Sequence, residues 1–491
     1  MALTVPCVRP IVAAKRQLRG FLARSYLSIS VVGSAEVKPP QKKIRRRKPP
    51  NMKAFDESLS WEDRLADAVT PLWRLGYDEQ LHVKQQNQEH ILSHFSSQLA
   101  HLTSAQALGF SVQPIRPSPV RDGYRNKSTF SVNVGVDGNP KTVGFYLGTG
   151  KDRNIICVNG DHLVNMPEKH KQVARCYQEF IRLSPLEPCL LLHRGGHWRE
   201  VTVRSNAKGQ TMAIVYFHPQ SLVPEEIAVH RAALVEYFTR GPGAACELDS
   251  LFFQESAMTR CGHEVSPYQL LHGQPHINEE LLGFKFRVSP DAFFQVNTAA
   301  AEVLFTVARD LCFPEQAAQS GGGGAGGTLL DVCCGTGAIG ITLSPAVERV
   351  IGVELVQQAV EDARHNAVLN GVHNCQFLAG KAEVVLPGIV PQLSSSEEGG
   401  GARGITALVN PARAGLHYRV VRALRNQPAI RRLVYISCKP DGEAMRNFRE
   451  LCCPPDPQKK LTGEAFSPRV AVPIDMFPHT QHCELVLLFE R

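Results

Sequence analysis

From about residue 290 onward, short apolar runs rich in Val, Ile and Leu alternate with a segment of helical periodicity at 357–369. Runs of this length between turn residues are typical of buried strands. Strands that alternate with helices predict a doubly wound, mainly parallel sheet, that is, an α/β fold. The predicted strands are 328–332, 349–353, 375–378, 405–409, 433–437 and 483–489.

The pattern before residue 290 is different. Apolar residues recur at helical spacing from 61 to 101, with an interruption near Pro71. Between 110 and 280 the chain carries β-rich stretches at 128–135, 200–204 and 212–217, separated by Gly and Asn turns, which predicts a mainly antiparallel domain. We therefore divide the chain into four parts, a disordered basic leader, a helical segment, a β-rich domain and an α/β domain. Their predicted bounds are 1–53, 54–109, 110–288 and 289–491.

Composition adds limits on the class of protein. With 491 residues, 43% hydrophobic and 20% charged, the chain is globular rather than fibrous or disordered. No apolar run approaches the roughly 20 residues of a membrane-spanning helix, so we expect no membrane span. None of the 14 cysteines belongs to a C-x-x-C pair, so we expect neither a metal site nor an iron–sulfur cluster.

The formal charge of +8 comes from the start of the chain. Residues 1–53 hold 13 Lys or Arg and one acidic residue, Glu36, which leaves 41 basic and 45 acidic residues elsewhere. A polyanion site in the folded part must therefore be a local patch. The Arg-rich stretch 1–35 lacks acidic residues, which is typical of a mitochondrial transit peptide, and a disordered basic tail is the alternative. We expect the protein in the mitochondrial matrix.

Basic residues lie beside aromatic ones at the start of the β-rich domain. Arg125 and Lys127 stand between Tyr124 and Phe130. This combination suits phosphate contacts together with base stacking, as in nucleic-acid binding. An ordinary solvated sheet face is the alternative.

A glycine-rich turn follows the first strand of the α/β domain. Gly335, Gly337 and Gly340 form a G-x-G-x-x-G pattern that opens a helix, and Glu354 ends the next strand. Such glycines let a ligand approach the backbone, and the carboxylate can accept hydrogen bonds from ribose hydroxyls. The pattern predicts a ligand that contains adenosine, and at this point NAD and S-adenosylmethionine both remain open.

Two further strands end in polar residues that should reach the same sheet edge. Asn410 follows 405–409, and Cys438 follows 433–437. Between Gly399 and Pro440 there are several arginines, Arg413 among them, and no acidic residue. This electropositive setting favours the thiolate form of Cys438: either the basic surroundings lower the pKa of the thiol or a base takes its proton on attack.

Five segments, taken together and in order, resemble the RNA uracil-5 methyltransferase family. The resemblance is strong over 289–491 and extends more weakly back to residue 61. The segments are SPDAFFQVN at 289–297, DVCCGTG at 331–337, NPARAGL at 410–416, YISCKP at 435–440 and DMFPHTQHCE at 475–484.

The resemblance implies an RNA (uracil-5-)-methyltransferase, in the EC 2.1.1 class, that makes 5-methyluridine. It implies a Rossmann-like class I domain that uses S-adenosyl-L-methionine, preceded by a β-rich RNA-binding domain. The implied partner is tRNA at its T-loop uridine, with ribosomal RNA as a second substrate, and we expect a monomer. A catalytically weakened RNA-binding or RNA-folding factor and an NAD-binding oxidoreductase are the alternative functions.

The resemblance also implies roles for residues. Cys438 would be the nucleophile that attacks the uracil ring, and Glu484 would be the general base. Asn410 stands where the family usually has Asp, which predicts altered cofactor affinity or rate. The residues implied to bind cofactor are Gln295, Cys333, Gly335, Gly337, Glu354 and Asn410. The residues that we expect to contact RNA are Arg125, Lys127 and Arg413.

Overall fold

The computed structural model describes residues 58–103, 109–149, 154–190, 195–257, 266–314, 327–395 and 404–491. The predicted leader, 1–53, lies outside these residues. The described residues form two compact units, one that contains 58–69 and the described parts of 127–277, and one that contains the described parts of 70–126 and 278–491. No helix within the described ranges has both the length and the apolar character needed to cross a membrane.

The first unit is built on a seven-stranded sheet with the order β4-β3-β2-β5-β6-β7-β8. Its pairs are antiparallel except for β6 with β7, which are parallel. The aromatic side chains of Tyr177, Phe180 and Phe217 surround the fully buried Trp198 in its core. Its elements are α1 (Trp61–Val69), β2 (Lys127–Asn133), β3 (Thr142–Leu147), β4 (Ile156–Val158), α3 (Glu168–Leu183), β5 (Trp198–Ser205), β6 (Thr211–Phe217), α4 (Pro224–Thr239), β7 (Ser250–Glu255) and β8 (Tyr268–Gly273).

The second unit is built on an eight-stranded sheet with the order β1-β16-β17-β15-β14-β11-β12-β13, beside the hairpin β9-β10. Its elements up to β12 are α2 (Tyr77–Thr103), β1 (Ser111–Val112), β9 (Ile277–Leu281), β10 (Phe284–Val288), α5 (Thr298–Cys312), β11 (Thr328–Val332), α6 (Ala338–Leu343) and β12 (Arg349–Glu354). Its later elements are α7 (Gln357–Leu369), β13 (Cys375–Ala379), α8 (Ala382–Ser395), β14 (Ile405–Val409), α9 (Tyr418–Asn426), β15 (Ile430–Ser437), α10 (Glu443–Cys452), β16 (Ser467–Ile474) and β17 (Glu484–Glu490).

Strand direction in this sheet follows the sequence pattern. The pairs of β11 with β12 and β14, of β12 with β13 and of β14 with β15 are parallel, whereas β17 is antiparallel to β15 and β16. The apolar runs form the parallel strands because both faces of such a sheet are covered. The predicted α/β fold is confirmed.

The predicted helical segment divides between the two units, because α1 belongs to the first unit and α2 to the second. Leu92, Phe95 and Leu99 of α2 are buried in the same core as the apolar side chains of β11 to β17. The short strand β1 pairs in parallel with β16. Helix α2 is therefore part of the α/β unit, which the sequence could not reveal because the partners of α2 lie near the other end of the chain.

The aromatic residues at the start of the β-rich region are core residues. Phe130 is 1% exposed and Tyr124 is 7% exposed. Phe130 packs on Phe145, and the Tyr124 hydroxyl donates to the Pro478 carbonyl at 3.2 Å. The prediction that these rings stack on nucleic-acid bases is wrong, because burial leaves no ring face for a base.

Candidate active site

The loop after β11 has a left-handed backbone at three positions. Cys333, Gly335 and Gly337 have φ of 64°, 55° and 77°. Only glycine adopts this region without steric cost, and Cys333 is held there by N–H donation to the Val353 carbonyl at 2.8 Å. A Cβ built on Gly335 meets nothing within 4 Å. The loop therefore presents bare backbone to open space at the sheet edge, which suits a ligand that approaches closely.

At Gly337, close packing against neighbouring side chains leaves no room for a Cβ atom. A Cβ at this position would lie 2.9 Å from the Phe377 ring and 3.0 Å from the Ala363 Cβ. Behind it, the Asn366 amide of α7 donates to the Thr336 carbonyl at 3.1 Å. Close packing of α7 and β13 against the turn thus fixes the loop from its inner side.

Glu354 sits beside this loop, at the carboxyl end of β12. Its Oε2 accepts the Gly335 N–H at 3.0 Å, and its Oε1 accepts the N–H groups of Leu355 and Val356 at 2.8 and 3.0 Å. The side chains of Leu355 and Val356 are exposed. A fixed carboxylate next to exposed apolar groups provides acceptors for hydroxyls and a surface for a flat base.

Asp331, in β11, lies under the loop and is fully buried. Its Oδ2 accepts the Gly340 N–H at 3.0 Å, while Oδ1 has no hydrogen-bond partner among the described residues. Burial raises the pKa of Asp331 to about 7, against the lowering effect of the Gly340 hydrogen bond. The carboxyl group anchors the start of α6 and so helps to shape the loop.

Asn410 lies at the same edge of the sheet, and Gln295 lies in the segment between β10 and α5. The Asn410 N–H donates to the Val332 carbonyl at 3.2 Å, which joins the ends of β14 and β11. Because β12 and β14 flank β11 on opposite sides, these ends form the switch point where open sheets bind ligands. The Gln295 carbonyl accepts the Asn126 amide at 2.7 Å. The side chain of Gln295 is half-buried.

Cys438 and Glu484 meet through strand register. Ser437, the last residue of β15, pairs with Leu485 of antiparallel β17, which brings Cys438, directly after β15, close to Glu484, the first residue of β17. The charge of Glu484 acts on the Cys438 thiol. Glu484 also pairs with Ile474 of β16. A thiol and a carboxyl therefore stand side by side at the sheet edge, one strand beyond Asn410.

Arg413 is the positively charged residue that acts on both Cys438 and Glu484. Its charge lowers the pKa of the Cys438 thiol and that of the Glu484 carboxyl group. Burial nevertheless dominates at both groups. It raises the pKa of Glu484 to about 8, and together with the Glu484 charge it raises the pKa of Cys438, while Arg413 opposes both shifts.

The prediction that the basic surroundings hold the pKa of the Cys438 thiol below its usual value is therefore wrong. The sequence showed the arginines, but it did not show that the thiol is half-buried beside a carboxyl group. Burial thus favours the protonated form of both groups in the free protein.

The structure adds an exposed basic and aromatic cluster next to Arg413. Tyr418, at the start of α9, is 49% exposed, and the guanidinium carbons of Arg419 and Arg422 lie 5.8 and 6.0 Å from its ring centre. His417 packs on the same ring at 4.4 Å between centres. The absence of acidic residues between 399 and 440 was the sequence signal for this surface.

The predicted RNA contacts lie in different places. Arg413 is exposed, and its charge acts on the Cys438 thiol as described above. Arg125 is half-buried and belongs to the second unit, and half-buried Lys127 begins β2 of the first unit. Within the described ranges no three His, Cys, Asp or Glu side chains converge as a metal site would require.

Asn297, within the SPDAFFQVN segment, has a structural role. Its side chain caps α5 by accepting the Ala300 N–H at 3.1 Å, and its amide donates to the Ser118 hydroxyl at 3.0 Å and the Met476 carbonyl at 3.2 Å. The residue thus ties the start of α5 to the segment between β16 and β17.

Comparison with known proteins gives the family. A sequence model described as tRNA (Uracil-5-)-methyltransferase matches residues 276–491. The chain is 61% identical to the tRNA (uracil-5-)-methyltransferase homolog B of Danio rerio over 100% of this chain and 98% of that protein. It is 56% identical to homolog B of Homo sapiens over 91% of this chain and 87% of that protein.

A solved structure shares the fold. The tRNA (uracil-54, C5)-methyltransferase of Pyrococcus abyssi, solved with S-adenosyl-L-homocysteine, superposes with a TM-score of 0.55 at 23% identity, covering 85% of this chain and 84% of that one. The alternative of an NAD-binding oxidoreductase, suggested by the glycine pattern, is not supported by these relatives. The matched segment spans the glycine loop, Cys438 and Glu484, and the chain belongs to the tRNA (uracil-5-)-methyltransferase family.

Proposed function

We propose that this protein methylates C5 of the T-loop uridine of mitochondrial tRNA, with S-adenosyl-L-methionine as methyl donor, through a covalent bond between Cys438 Sγ and uracil C6. The observation that carries the proposal is the proximity of Cys438, directly after β15, to Glu484, the first residue of β17, with the charge of Arg413 acting on both groups. A nucleophile and a base that must act on one ring have to stand this close.

The glycine loop and its surroundings fit S-adenosyl-L-methionine. The Gly335 position faces open space, the Glu354 carboxylate can accept from ribose hydroxyls, and the exposed Leu355 and Val356 suit an adenine ring. Bound there, the cofactor supplies an electrophilic methyl group. The residues that would hold it are Gln295, Cys333, Gly335, Gly337, Glu354 and Asn410.

Uracil C5 is a weak nucleophile, and covalent catalysis increases its nucleophilicity. The Cys438 thiolate forms a bond to C6, which moves the electron pair of the C5–C6 double bond toward C5 and O4 as an enolate. C5 can then form its bond to the methyl carbon as the bond from that carbon to the sulfonium sulfur breaks, and S-adenosyl-L-homocysteine is the leaving group. Glu484 as carboxylate takes the C5 proton, the C5–C6 double bond re-forms, and the C6–S bond breaks to release thiolate. Arg413 stabilises the negative charge on both groups.

RNA is the substrate class that the surroundings of the site suit. The C5 and C6 atoms of uracil are shielded in stacked RNA, so the base must be swung out, which favours loops. The exposed Tyr418 ring flanked by Arg419 and Arg422 offers a stacking surface with phosphate-binding groups. Arg125 and Lys127 extend the set of expected contacts, and ribosomal RNA is a second candidate substrate.

The target and the compartment can be tested in one experiment. In cells that lack the protein, the full chain should restore 5-methyluridine at the T-loop position of mitochondrial tRNA, whereas a chain without residues 1–53 should not, because it lacks the basic leader. Mass spectrometry of digested organelle tRNA and rRNA measures the modification. Restoration only in rRNA would contradict the T-loop target, and restoration by the shortened chain would contradict the leader's role.

The shifted pKa values predict how the rate depends on pH. Glu484 and Cys438 act only after losing protons, and burial raises the pKa of Glu484 to about 8. We expect kcat/KM for tRNA to rise from pH 6 through pH 8 and to keep rising above pH 8, because burial also raises the pKa of Cys438. Arg413→Gln removes the charge that lowers both pKa values, so the rise should move to higher pH.

Arg413→Lys is the matched control, because it retains the charge near both groups. Initial rates of labelled methyl transfer at constant ionic strength give the profile. A profile that has the same midpoint in wild type and Arg413→Gln would show that Arg413 does not set these pKa values.

A further inference from the structure

The segment Asp475–Cys483 connects β16 to β17 and ends at the proposed base. Ile474 and Glu484, the residues on either side of it, pair with each other in the sheet. The Cys483 thiol donates to the Ile474 carbonyl at 3.3 Å, within the neck of this loop. A displacement of the loop would therefore move Glu484, because Glu484 is the first residue of β17 and directly follows the loop.

Helix α2 holds the loop through a buried ion pair. The Lys84 Nζ lies 2.6 Å from Asp475 Oδ1, and both side chains are fully buried. The same ammonium group donates to the Phe477 carbonyl at 2.9 Å, and the Tyr77 hydroxyl donates to Asp475 Oδ2 at 3.0 Å. The Phe477 N–H completes the set by donating to Asp475 Oδ1 at 3.1 Å. Every oxygen of Asp475 is thus engaged, and most of its partners come from α2.

A second pair of contacts fixes the middle of the loop. The Gln80 Oε1 accepts the His479 backbone N–H at 2.8 Å, and the Gln80 Nε2 lies 3.2 Å from His479 Nδ1. The His479 carbonyl accepts the Leu72 N–H at 2.9 Å. His479 has φ of 68°, a left-handed conformation that a non-glycine residue keeps only when its surroundings hold it.

The three residues of α2 that contact the loop belong to one face of the helix. Tyr77, Gln80 and Lys84 are separated by three and four residues, so they lie on one face of the helix. Further along α2, Leu92, Phe95 and Leu99 anchor the helix in the apolar core. The half of the helix near the active site therefore uses polar contacts where the other half uses apolar ones.

A buried ion pair is a poor way to gain stability. Removing two charges from water costs about as much as their attraction returns, and well-packed apolar residues would serve at least as well. What such a pair does provide is a defined geometry, because its directional contacts are satisfied in one arrangement only.

We propose that Tyr77, Gln80 and Lys84 of α2 form a clamp that positions the loop Asp475–Cys483, and through it the carboxyl group of Glu484, for removal of the C5 proton. This inference rests on the proposed role of Glu484. Lys84 is a positioning residue: it acts on the base through Asp475 and the loop. Loosening the clamp should slow proton removal while leaving attack by Cys438 on C6 intact.

The experiment separates these two steps. RNA that carries 5-fluorouridine at the target position requires Cys438 attack and methyl transfer to become trapped, but it has no C5 proton for Glu484 to remove. The double variant Lys84→Met with Asp475→Leu replaces the ion pair with apolar side chains of similar size and leaves no buried charge alone. We expect its turnover on ordinary tRNA to fall about 100-fold, as for other misplaced groups, while its rate of trapping stays within about threefold of wild type.

Gln80→Ala provides an independent variant, because it removes the contacts to His479 without touching the ion pair, and it should show the same separation to a smaller degree. Leu92→Ala is the comparator for lost stability, since it creates a cavity on the same helix away from the loop. Thermal unfolding places the variants on one stability scale, and if the double variant is unfolded, Gln80→Ala carries the test.

Equal losses of trapping and turnover in the clamp variants, as Leu92→Ala should give, would overturn the clamp, and so would turnover within twofold of wild type. Failure of the underlying function is distinguishable, because it would appear as no trapping by the wild type. If Glu484→Gln separates trapping from turnover and the clamp variants do not, only the clamp is wrong.

Discussion

Replacing Cys438 by alanine is expected to lower methyl transfer to tRNA by at least about 10⁴-fold, the size of loss seen when a covalent nucleophile is removed. Without a sulfur bond to C6, uracil C5 is too weak a nucleophile to attack an electrophilic methyl group. Binding should survive, since the thiol is half-buried at a strand end and its removal leaves the backbone pairing of β15 with β17 unchanged. The assay is transfer of labelled methyl groups to a tRNA transcript.

Cys375→Ala is the matched control, because Cys375 is also half-buried but begins β13, at the end of the sheet opposite to the ligand edge. It should keep wild-type activity. With 5-fluorouridine RNA the wild type and Cys375→Ala should form a complex that resists denaturing gel electrophoresis, and Cys438→Ala should not. Equal methyl transfer by wild type and Cys438→Ala would exclude the covalent mechanism, and none by either would favour the RNA-folding alternative.

Replacing Glu484 by glutamine is expected to lower turnover by about 10³-fold, in the range for a lost general base. The amide has nearly the same shape as the carboxyl group but cannot accept the C5 proton. The reaction should stop after methyl transfer, so ordinary tRNA should accumulate as a covalent complex with the protein. Gel electrophoresis under denaturing conditions and mass spectrometry of the joined peptide measure that complex.

Folding gives this substitution a second, separate readout. Burial raises the pKa of Glu484 to about 8, so between pH 4.5 and 8 the folded state binds a proton that the unfolded chain releases. The contribution of this group to stability is therefore present at low pH and is lost as pH rises through 8. Glu484→Gln should remove that part of the pH dependence and should be no less stable than wild type at pH 8.

Glu490→Gln is the control on the same strand, where the carboxylate pairs with Arg432 and Arg469 at the far end of β17. It should leave turnover unchanged. A Glu484→Gln variant that turns over at the wild-type rate would show that another group removes the proton.

Local patterns predicted the strands of the α/β unit well. The runs that form β11 and β14 were assigned with their observed ends, because buried parallel strands are continuous apolar stretches bounded by turns. The glycine loop was predicted for the same kind of reason, since its left-handed positions admit few residues other than glycine. Strand β16 was missed, because two prolines and an arginine interrupt its apolar pattern.

The direction of the pKa shift at Cys438 could not be predicted from the sequence. The arginines around Cys438 are visible in the chain, yet burial and a neighbouring carboxyl group decide the direction of the pKa shift. Both are properties of the packed unit: how much solvent reaches an atom depends on residues that are remote along the chain.

By itself, the sequence determined the α/β class, the order of the strands along the chain, and the residue types that carry the chemistry, because these follow from local periodicity and from motifs of adjacent residues. Only the tertiary structure decided which of these residues meet. Cys438 comes close to Glu484 because β17 runs antiparallel to β15 in one register. Lys84 reaches Asp475 across 391 positions of chain because α2 packs into the same core. Register and packing are collective properties of the folded chain, since each depends on many contacts that form together.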